Sequence, residues 1–418
     1  MTKVIVVGQG YVGLPVAVRA AEVGFDVIGF DLDERRVGQL ASGSSFVEDI
    51  TDERLKTVLA AGNYRPSTDA SDLEGFDVAV VSVPTPLTDG VPDLSYIEAA
   101  GSTLAGFLRP GATVILESTT YPGTTEELMQ PALETGSGLA AGTDFHLGYS
   151  PERIDPGNET WTFERTPKVV SGLTPECLVA VQGFFDRLVD KTVPVSSPRE
   201  AEMCKLLENT FRHVNIALVN ELAIFANDLG VNAWEAIEAA DSKPFGFMKF
   251  TPGPGVGGHC LPIDPSYLSW RVRRSLGHTF RFVELANDIN EHMPDHVVTR
   301  AASALNRRKM AVNGSRILLL GLSYKKNTGD PREAPSRAIV RKLLSLGAEV
   351  RAVDPHIDSS LAPDGVHMVD LTAEELEGSD LVILVVDHDA FDRDLIVDSS
   401  VAVLDCRNSL RGDNVEVL

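Results

Sequence analysis

Hydrophobic positions along the chain alternate between two kinds of run. Short continuous apolar stretches at Val4–Val7, Phe25–Phe30, Asp77–Val83, Thr113–Ser118, Phe145–Tyr149 and Lys168–Ser171 read as strands, and segments of helical period separate them. This alternation predicts a doubly wound parallel sheet. From Arg199 to Leu229 the period changes to one long helix, with Cys204, Leu207, Phe211, Val214, Leu218, Leu222, Phe225 and Leu229 on one face. Cys204 is therefore expected in a core. The second half of that helix adds Ile216, Val219 and Ala223 on another face, which predicts burial between domains or in a subunit interface. A further helical region spans Phe280 to Lys309. A second set of strands follows at Arg316–Gly321, Val350–Asp354, Asp380–Val386 and Val401–Leu404, with a helix at Pro335–Ser345. The expected architecture is α/β: two Rossmann-like doubly wound domains, residues 1–197 and 313–418, joined by a central long-helix segment, residues 198–312.

The first strand runs into Gly8-Gln9-Gly10-Tyr11-Val12-Gly13 and then a helix, which is the context a dinucleotide fingerprint requires. Glycines there let a pyrophosphate lie against the backbone at a helix N-terminus. Asp31, ending the second strand, stands where a carboxylate bonds an adenosine ribose and repels a 2′-phosphate, which favours NAD over NADP. Arg35 and Arg36 qualify that preference, or are solvated residues at a helix end. Thr85 and Thr119 follow strands at the edge where such sheets bind ligands, although threonines there also cap helices. Glu152 and Arg153 follow another strand. They suit general-base work and phosphate or cofactor contact, or form a surface ion pair.

On the long helix Lys205, Asn209 and Arg212 form a polar stripe able to grip sugar hydroxyls or stabilise an oxyanion. The stretch Thr251 to Tyr267, TPGPGVGGHCLPIDPSY, is both bendable and braced, and holds Cys260 four residues before Asp264. Cys260 is either a nucleophile or a buried structural thiol. Lys325, Lys326 and Arg332 make a local basic cluster after the first strand of the last domain, a candidate anion site or ordinary surface lysines.

Charge narrows the partners. Sixty acidic residues against 37 basic ones give a formal charge of −23, which argues against nucleic acid or an anionic membrane. No apolar run reaches membrane-spanning length, and the N-terminus lacks the basic start of a signal peptide, so a cytoplasmic location is expected. The four cysteines are widely spaced, which suggests neither a zinc site nor a disulfide framework, and no metal is expected.

Taken together, GQGYVGLP, Asp31, EST ending at Thr119, SPERIDPGN, KLLEN, GPGVGGHCLPIDP and GLSYKKNTGDPREAPS resemble the UDP-glucose/GDP-mannose dehydrogenase family over nearly the whole chain. The resemblance implies NAD on the first domain, the nucleotide of the sugar on the last, and a dimer through the central helix. It implies a four-electron oxidation of the sugar C6 alcohol to a carboxylate, two electrons at a time to NAD, through a thiohemiacetal and then a thioester on Cys260. Lys205 and Asn209 are implied to stabilise the oxyanion and Asp264 to orient a water. Glu152 and Thr119 are implied to serve the hydrolytic water and the first proton transfer. Lys325 and the loop from Phe250 through Gly253 to Gly257 are implied to hold the nucleotide sugar, and Arg332 to contact the cofactor. Gly329 departs from the acidic residue many members carry, which leaves the ordering of that loop less secure. Ser150, His259 and Ile263 resemble the branch acting on UDP-N-acetylglucosamine or UDP-N-acetylmannosamine, where Arg212 also fits. UDP-glucose or dTDP-glucose is the alternative. Two other classes stay open at the level of sequence: a two-electron dehydrogenase or epimerase, which leaves Cys260 without a task, and a catalytically silent NAD-binding protein.

Overall fold

The computed structural model describes the chain except residues 48, 89–90, 155–157, 159 and 259–262. Two compact units divide it, Met1–Glu208 and Asn209–Leu418, and one long helix runs from the first into the second.

In the first unit the strands are β1 (Lys3–Val7), β2 (Asp26–Phe30), β3 (Tyr64–Ser67), β4 (Val78–Val81), a short hairpin of β5 (Leu87–Thr88) and β6 (Val91–Pro92), then β7 (Thr113–Leu116), β8 (His146–Tyr149), β9 (Lys168–Gly172) and β10 (Thr192–Pro194). Helices α1 (Gly13–Glu22), α2 (Glu34–Ala41), α3 (Asp52–Ala60), α4 (Ser95–Ala105), α5 (Gln130–Ser137) and α6 (Pro175–Phe185) connect them. The main sheet has the order β10-β9-β8-β7-β4-β1-β2-β3. Its pairs are parallel except β8 with β9. Val4 and Val6 point into one core, with Leu14, Val27 and Phe184, while Ile5 and Val7 point into the other, with Ile28, Val81 and Leu116. Both faces being covered is why the strands are apolar without alternation.

Helix α7 (Pro198–Asp228) leads into α8 (Ala233–Asp241), α9 (Asp264–Leu276) and α10 (Arg281–Arg307). A second sheet follows, built from β11 (Arg316–Leu320), β12 (Glu349–Val353), β13 (His367–Met368), β14 (Leu381–Leu384), β15 (Ala402–Asp405) and β16 (Val415–Val417). Helices α11 (Pro335–Ser345), α12 (Ala373–Glu377) and α13 (Arg393–Asp398) lie between them. Its order is β13-β12-β11-β14-β15-β16, parallel throughout. The α/β architecture with two Rossmann-like sheets and a long joining helix is as the pattern predicts.

The long helix departs from expectation in which face it buries. Leu207 and Leu218 are 62% exposed and Leu229 is 77% exposed, so the apolar stripe lies open on the chain. Cys204 is only half-buried and reaches the Glu208 carboxylate at 3.7 Å. The buried stripe instead carries Glu202, Lys205, Asn209, His213 and Asn220 beside Val219 and Ala223. Buried polar groups require partners, and these residues have them.

Candidate functional site

The fingerprint turn lies between β1 and α1. Gly8 has φ +91°, and a Cβ on it would stand 2.1 Å from the Ser82 carbonyl oxygen, so no side chain fits. A Cβ on Gly13 would collide with the Gly8 carbonyl at 1.9 Å, which is how α1 packs so close to the strand. Around Gly10 no atom stands within 4 Å of that position. Open space beside the helix N-terminus, walled by backbone that tolerates no side chain, suits a pyrophosphate. Tyr11 is 47% exposed there and Val12 occupies the N-cap position of α1.

Asp31 ends β2 and is almost fully buried. It accepts the Gln9 N–H at 2.8 Å and the Asp33 N–H at 3.0 Å, so the carboxylate is pinned to the fingerprint turn. Arg36 donates to it at 2.9 Å and lies over the Phe46 ring. Thus Arg36 is paired with Asp31, while Arg35 is solvent-exposed and, among the described residues, pairs with Asp33. On the next strands, the Ser118 hydroxyl donates to the Val83 carbonyl at 2.9 Å and accepts the Val83 N–H at 2.9 Å. That bridge ties the loop carrying Thr85 to the one carrying Thr119. Both threonines are partly exposed.

Glu117, two residues before Thr119, and Glu152, a candidate base from the sequence, meet in a cluster with Lys168, to which sequence reasoning assigned no role. Lys168, at the head of β9, donates to Glu117 and, at 2.9 Å, to Glu152. All three are buried, and the ammonium sits over the Phe163 and Phe185 rings. Glu152 also accepts the N–H groups of Arg153 and Ile154 at 2.6 Å each. Its backbone carbonyl accepts from the Lys205 ammonium at 2.6 Å. Burial pushes the Glu152 carboxyl up, but the charges of Lys168 and Lys205 and the Lys168 hydrogen bond outweigh it and hold the group below the ordinary range. The surface ion pair between Glu152 and Arg153 is not formed, because Arg153 pairs with Glu208 at 2.6 Å. For Glu117 and Lys168 the sequence signal is a charged residue at the end of an apolar strand run, Glu117 after Leu116 and Lys168 before Val169.

Glu202, one turn before Lys205 on α7, was also missed. Its buried carboxylate accepts the Gly123 N–H, the Thr125 N–H at 2.9 Å and the Thr125 hydroxyl at 2.7 Å. It therefore fastens the loop that follows Thr119 onto the helix that carries Lys205. Burial pushes this carboxyl up to about 7 against those hydrogen bonds.

In the second unit Asn209 donates its amide to the Asp264 carboxylate, and both are buried. Asp264 opens α9, where a carboxylate favours the helix dipole. Arg212 does not join them; it is exposed on α7. Phe250 packs edge-on against Phe211, with ring centroids 5.8 Å apart. The Gly253 N–H donates to Asn220 at 2.9 Å, and Asn220 donates to Asn290 at 2.9 Å. Asn290 in turn donates to the His213 carbonyl at 3.3 Å. This buried chain fixes one end of the glycine loop. At the other end, a Cβ on Gly257 would meet the Glu333 carbonyl, Pro335 and Tyr324, each at 2.9 Å. The loop therefore lies directly against the segment carrying Lys325 and Arg332. Lys325 is partly exposed, and Arg332 forms a two-point pair with Asp330 at 2.8 and 2.7 Å. At Gly329 a Cβ would stand 2.7 Å from the His356 carbonyl, a physical reason for glycine in place of an acidic residue. Cys260 and His259 lie outside the described residues. Among the described residues no group of three His, Cys, Asp or Glu side chains gathers as a metal site.

Three family models match the chain in order. They are the UDP-glucose/GDP-mannose dehydrogenase NAD binding domain over residues 2–189, the central domain over 199–292 and the UDP binding domain over 318–412. The chain is 37% identical to the UDP-N-acetyl-D-mannosamine dehydrogenase of Pyrococcus horikoshii over 390 residues, covering 93% of this chain and 90% of that one. It is 38% identical to the UDP-N-acetyl-D-glucosamine 6-dehydrogenase of Pseudomonas aeruginosa over 394 residues, 93% of this chain and 91% of that one. A solved structure of UDP-D-ManNAc dehydrogenase from Pyrococcus horikoshii superposes with a TM-score of 0.91 at 34% identity, covering all of this chain and 98% of that one. The chain belongs to the UDP-glucose/GDP-mannose dehydrogenase family and carries that family's NAD binding domain and UDP binding domain.

Proposed function

We propose that the protein oxidises the C6 alcohol of a UDP-N-acetylhexosamine, UDP-N-acetylglucosamine or UDP-N-acetylmannosamine, to a carboxylate in two NAD-dependent steps with Cys260 as nucleophile. The observation that carries this reading is the buried Asn209–Asp264 pair, an amide aimed and held by a carboxylate four residues after Cys260. A silent dinucleotide-binding protein has no need of a buried amide and carboxylate so committed. The two relatives named above act on UDP-N-acetylhexosamines, which supports that class over UDP-glucose.

NAD, held by Gly8, Gly10, Tyr11, Val12, Gly13, Asp31 and Thr85, supplies the two-electron acceptor for each oxidation. The Cys260 thiolate adds to the C6 aldehyde, forming a C–S bond while the carbonyl oxygen becomes an alkoxide. Lys205 and Asn209, one turn apart on α7, stabilise that oxygen with an ammonium and an amide. The second oxidation leaves a thioester. Water then adds to its carbonyl, the C–S bond breaks, and the thiolate leaves with the acid released. Glu152 and Thr119 serve the hydrolytic water and the first proton transfer, and Asp264, which accepts from Asn209, orients a water that relays the proton. Lys325, Arg212 and the loop of Phe250, Gly253 and Gly257 hold the nucleotide sugar, and Arg332 contacts the cofactor.

The open apolar stripe of α7 supports a homodimer through that helix, since contiguous exposed apolar surface of this kind marks association. No described helix is long and apolar enough to cross a membrane, and we place the enzyme in the cytoplasm. The reading is tested by offering UDP-N-acetylglucosamine, UDP-N-acetylmannosamine, UDP-glucose and dTDP-glucose in parallel and identifying the product acid. Turnover confined to UDP-glucose or dTDP-glucose would overturn the substrate assignment.

A further inference from the structure

Glu117, Glu152 and Lys168 put two acids and one base in a single buried cluster. With both acids ionised, two carboxylates crowd the Lys168 ammonium while Lys205, on the Glu152 backbone carbonyl at 2.6 Å, adds its charge to Glu152, so the cost falls on Glu117, whose Oε2 would hold charge in a buried site without a donor. One proton removes it. The structure also marks where that proton belongs: Oε2 of Glu117 is buried and has no hydrogen-bond partner, whereas both oxygens of Glu152 are engaged. A protonated Oε2 becomes a donor, and the acceptor beside it is Glu152, whose hydrogen bonding and charge both act on Glu117. Lys205 on α7 adds its positive charge on the Glu152 side, which favours ionisation of Glu152 rather than of its neighbour.

We infer that Glu117 and Glu152 share one proton over Lys168, that Glu117 keeps it, and that Glu117 is thereby the positioning residue that holds Glu152 ionised and aimed beside Lys205. No covalent step is involved. The proton rests on Glu117 Oε2 and is released to solvent as the pH rises. Carboxyl pairs with one shared proton arise wherever two acids cannot both ionise at short range. The charged groups acting on the pair are Lys168 from β9 and Lys205 from α7, and the Lys168 ammonium lies over the Phe163 and Phe185 rings. Burial, opposed by Lys168 and reinforced by Glu152, pushes the Glu117 carboxyl up to about 8, in keeping with this placement. The inference rests on Glu152 being the working carboxylate of the proposed reaction, but its first test does not need turnover.

That test is infrared difference spectroscopy of the whole protein carrying carboxyl-labelled glutamate, titrated from pH about 6 to pH about 10, well above the ordinary carboxylate range. Among the described residues only Glu117 and Glu202 are glutamates whose carboxyls end above their ordinary range, and Asp405, also raised, is not labelled. In a Glu202→Gln background, which leaves the trio intact, one protonated carboxyl band is expected to remain and to disappear as the pH rises. Adding Glu117→Gln is expected to abolish it, and adding Glu152→Gln, which leaves Glu117 as the one acid beside Lys168, to move its disappearance to lower pH. No titrating band in the Glu202→Gln protein, or a band kept unchanged after Glu117→Gln, overturns the inference. The second readout is kinetic: kcat of the parent falls on the alkaline side as the shared proton leaves, and Glu117→Gln, fixed in the neutral form, loses that limb. Failure to oxidise any nucleotide sugar would sink the proposed function and leave the infrared result standing.

Discussion

Asn209 on α7 donates its side-chain amide to the carboxylate of Asp264, the first residue of α9, and neither side chain is open to solvent. One N–H of the amide is thereby spoken for, which fixes the direction of the other. If the free N–H meets the developing oxyanion, Asn209→Ala lowers kcat by about 10² to 10³-fold, the loss typical of one preorganised donor. The KM for NAD, whose binding unit does not include Asn209, stays near the parent value. Steady-state kinetics with both substrates varied checks this, and equal losses in all parameters would mean that the pair only holds the fold.

Gly257 predicts a defect of another kind. Alanine there drives a methyl group into the Glu333 carbonyl, Pro335 and Tyr324, and only a shift of the glycine loop relieves it. The KM for the nucleotide sugar is expected to rise about tenfold or more, equivalent to roughly 1.4 kcal/mol of lost binding. NAD affinity, measured by fluorescence titration, should not move.

Glu202 predicts a pH dependence of stability. Its folded value, about 7, lies above the ordinary one because burial favours the neutral acid. The stabilisation is complete below the ordinary carboxylate range and is lost as the pH rises through about 7. Melting temperature is therefore expected to fall across that window in the parent and to fall less in Glu202→Gln. Glu202→Ala leaves the Gly123 and Thr125 donors unpaired and costs about 1 to 3 kcal/mol below that window.

The stripe on α7 predicts assembly. Leu218 is 62% exposed, so Leu218→Arg is expected to change the stability of the isolated chain by no more than about 0.5 kcal/mol. In a homodimer built on that stripe the same change buries an unpaired guanidinium. Light scattering should then report a dimer for the parent and a folded monomer for the variant. Unchanged mass would remove the stripe from the interface.

What the chain's letters made legible, and what they hid, follows from where each signal came from. Apolar runs buried on both faces announced β1, β2, β4, β7 and β11, and Pro335 to Ser345 coincides with α11. The sheet-edge strands β3, β10, β13 and β16 went unread because they are short and paired on one side only, and Pro66 and Pro194 break the pattern in two of them. The helical period of α7 was correct, yet it could not say which stripe is covered by this chain. The open stripe is apolar and the covered one holds Glu202, Lys205, Asn209 and Asn220, an inversion that depends on tertiary partners. The motifs led to Asp31, Lys205, Asn209 and Asp264. They did not lead to Lys168 or Glu202, whose partners lie 51 and 77 residues away in the sequence.

The central claim is that Cys260 carries the sugar through both oxidations, and its most direct test is the count of NADH formed per UDP-N-acetylhexosamine consumed. The account predicts two NADH and one sugar acid from the parent enzyme, and no acid from Cys260→Ser. One NADH per sugar, or turnover to the acid undiminished in Cys260→Ser, would contradict it.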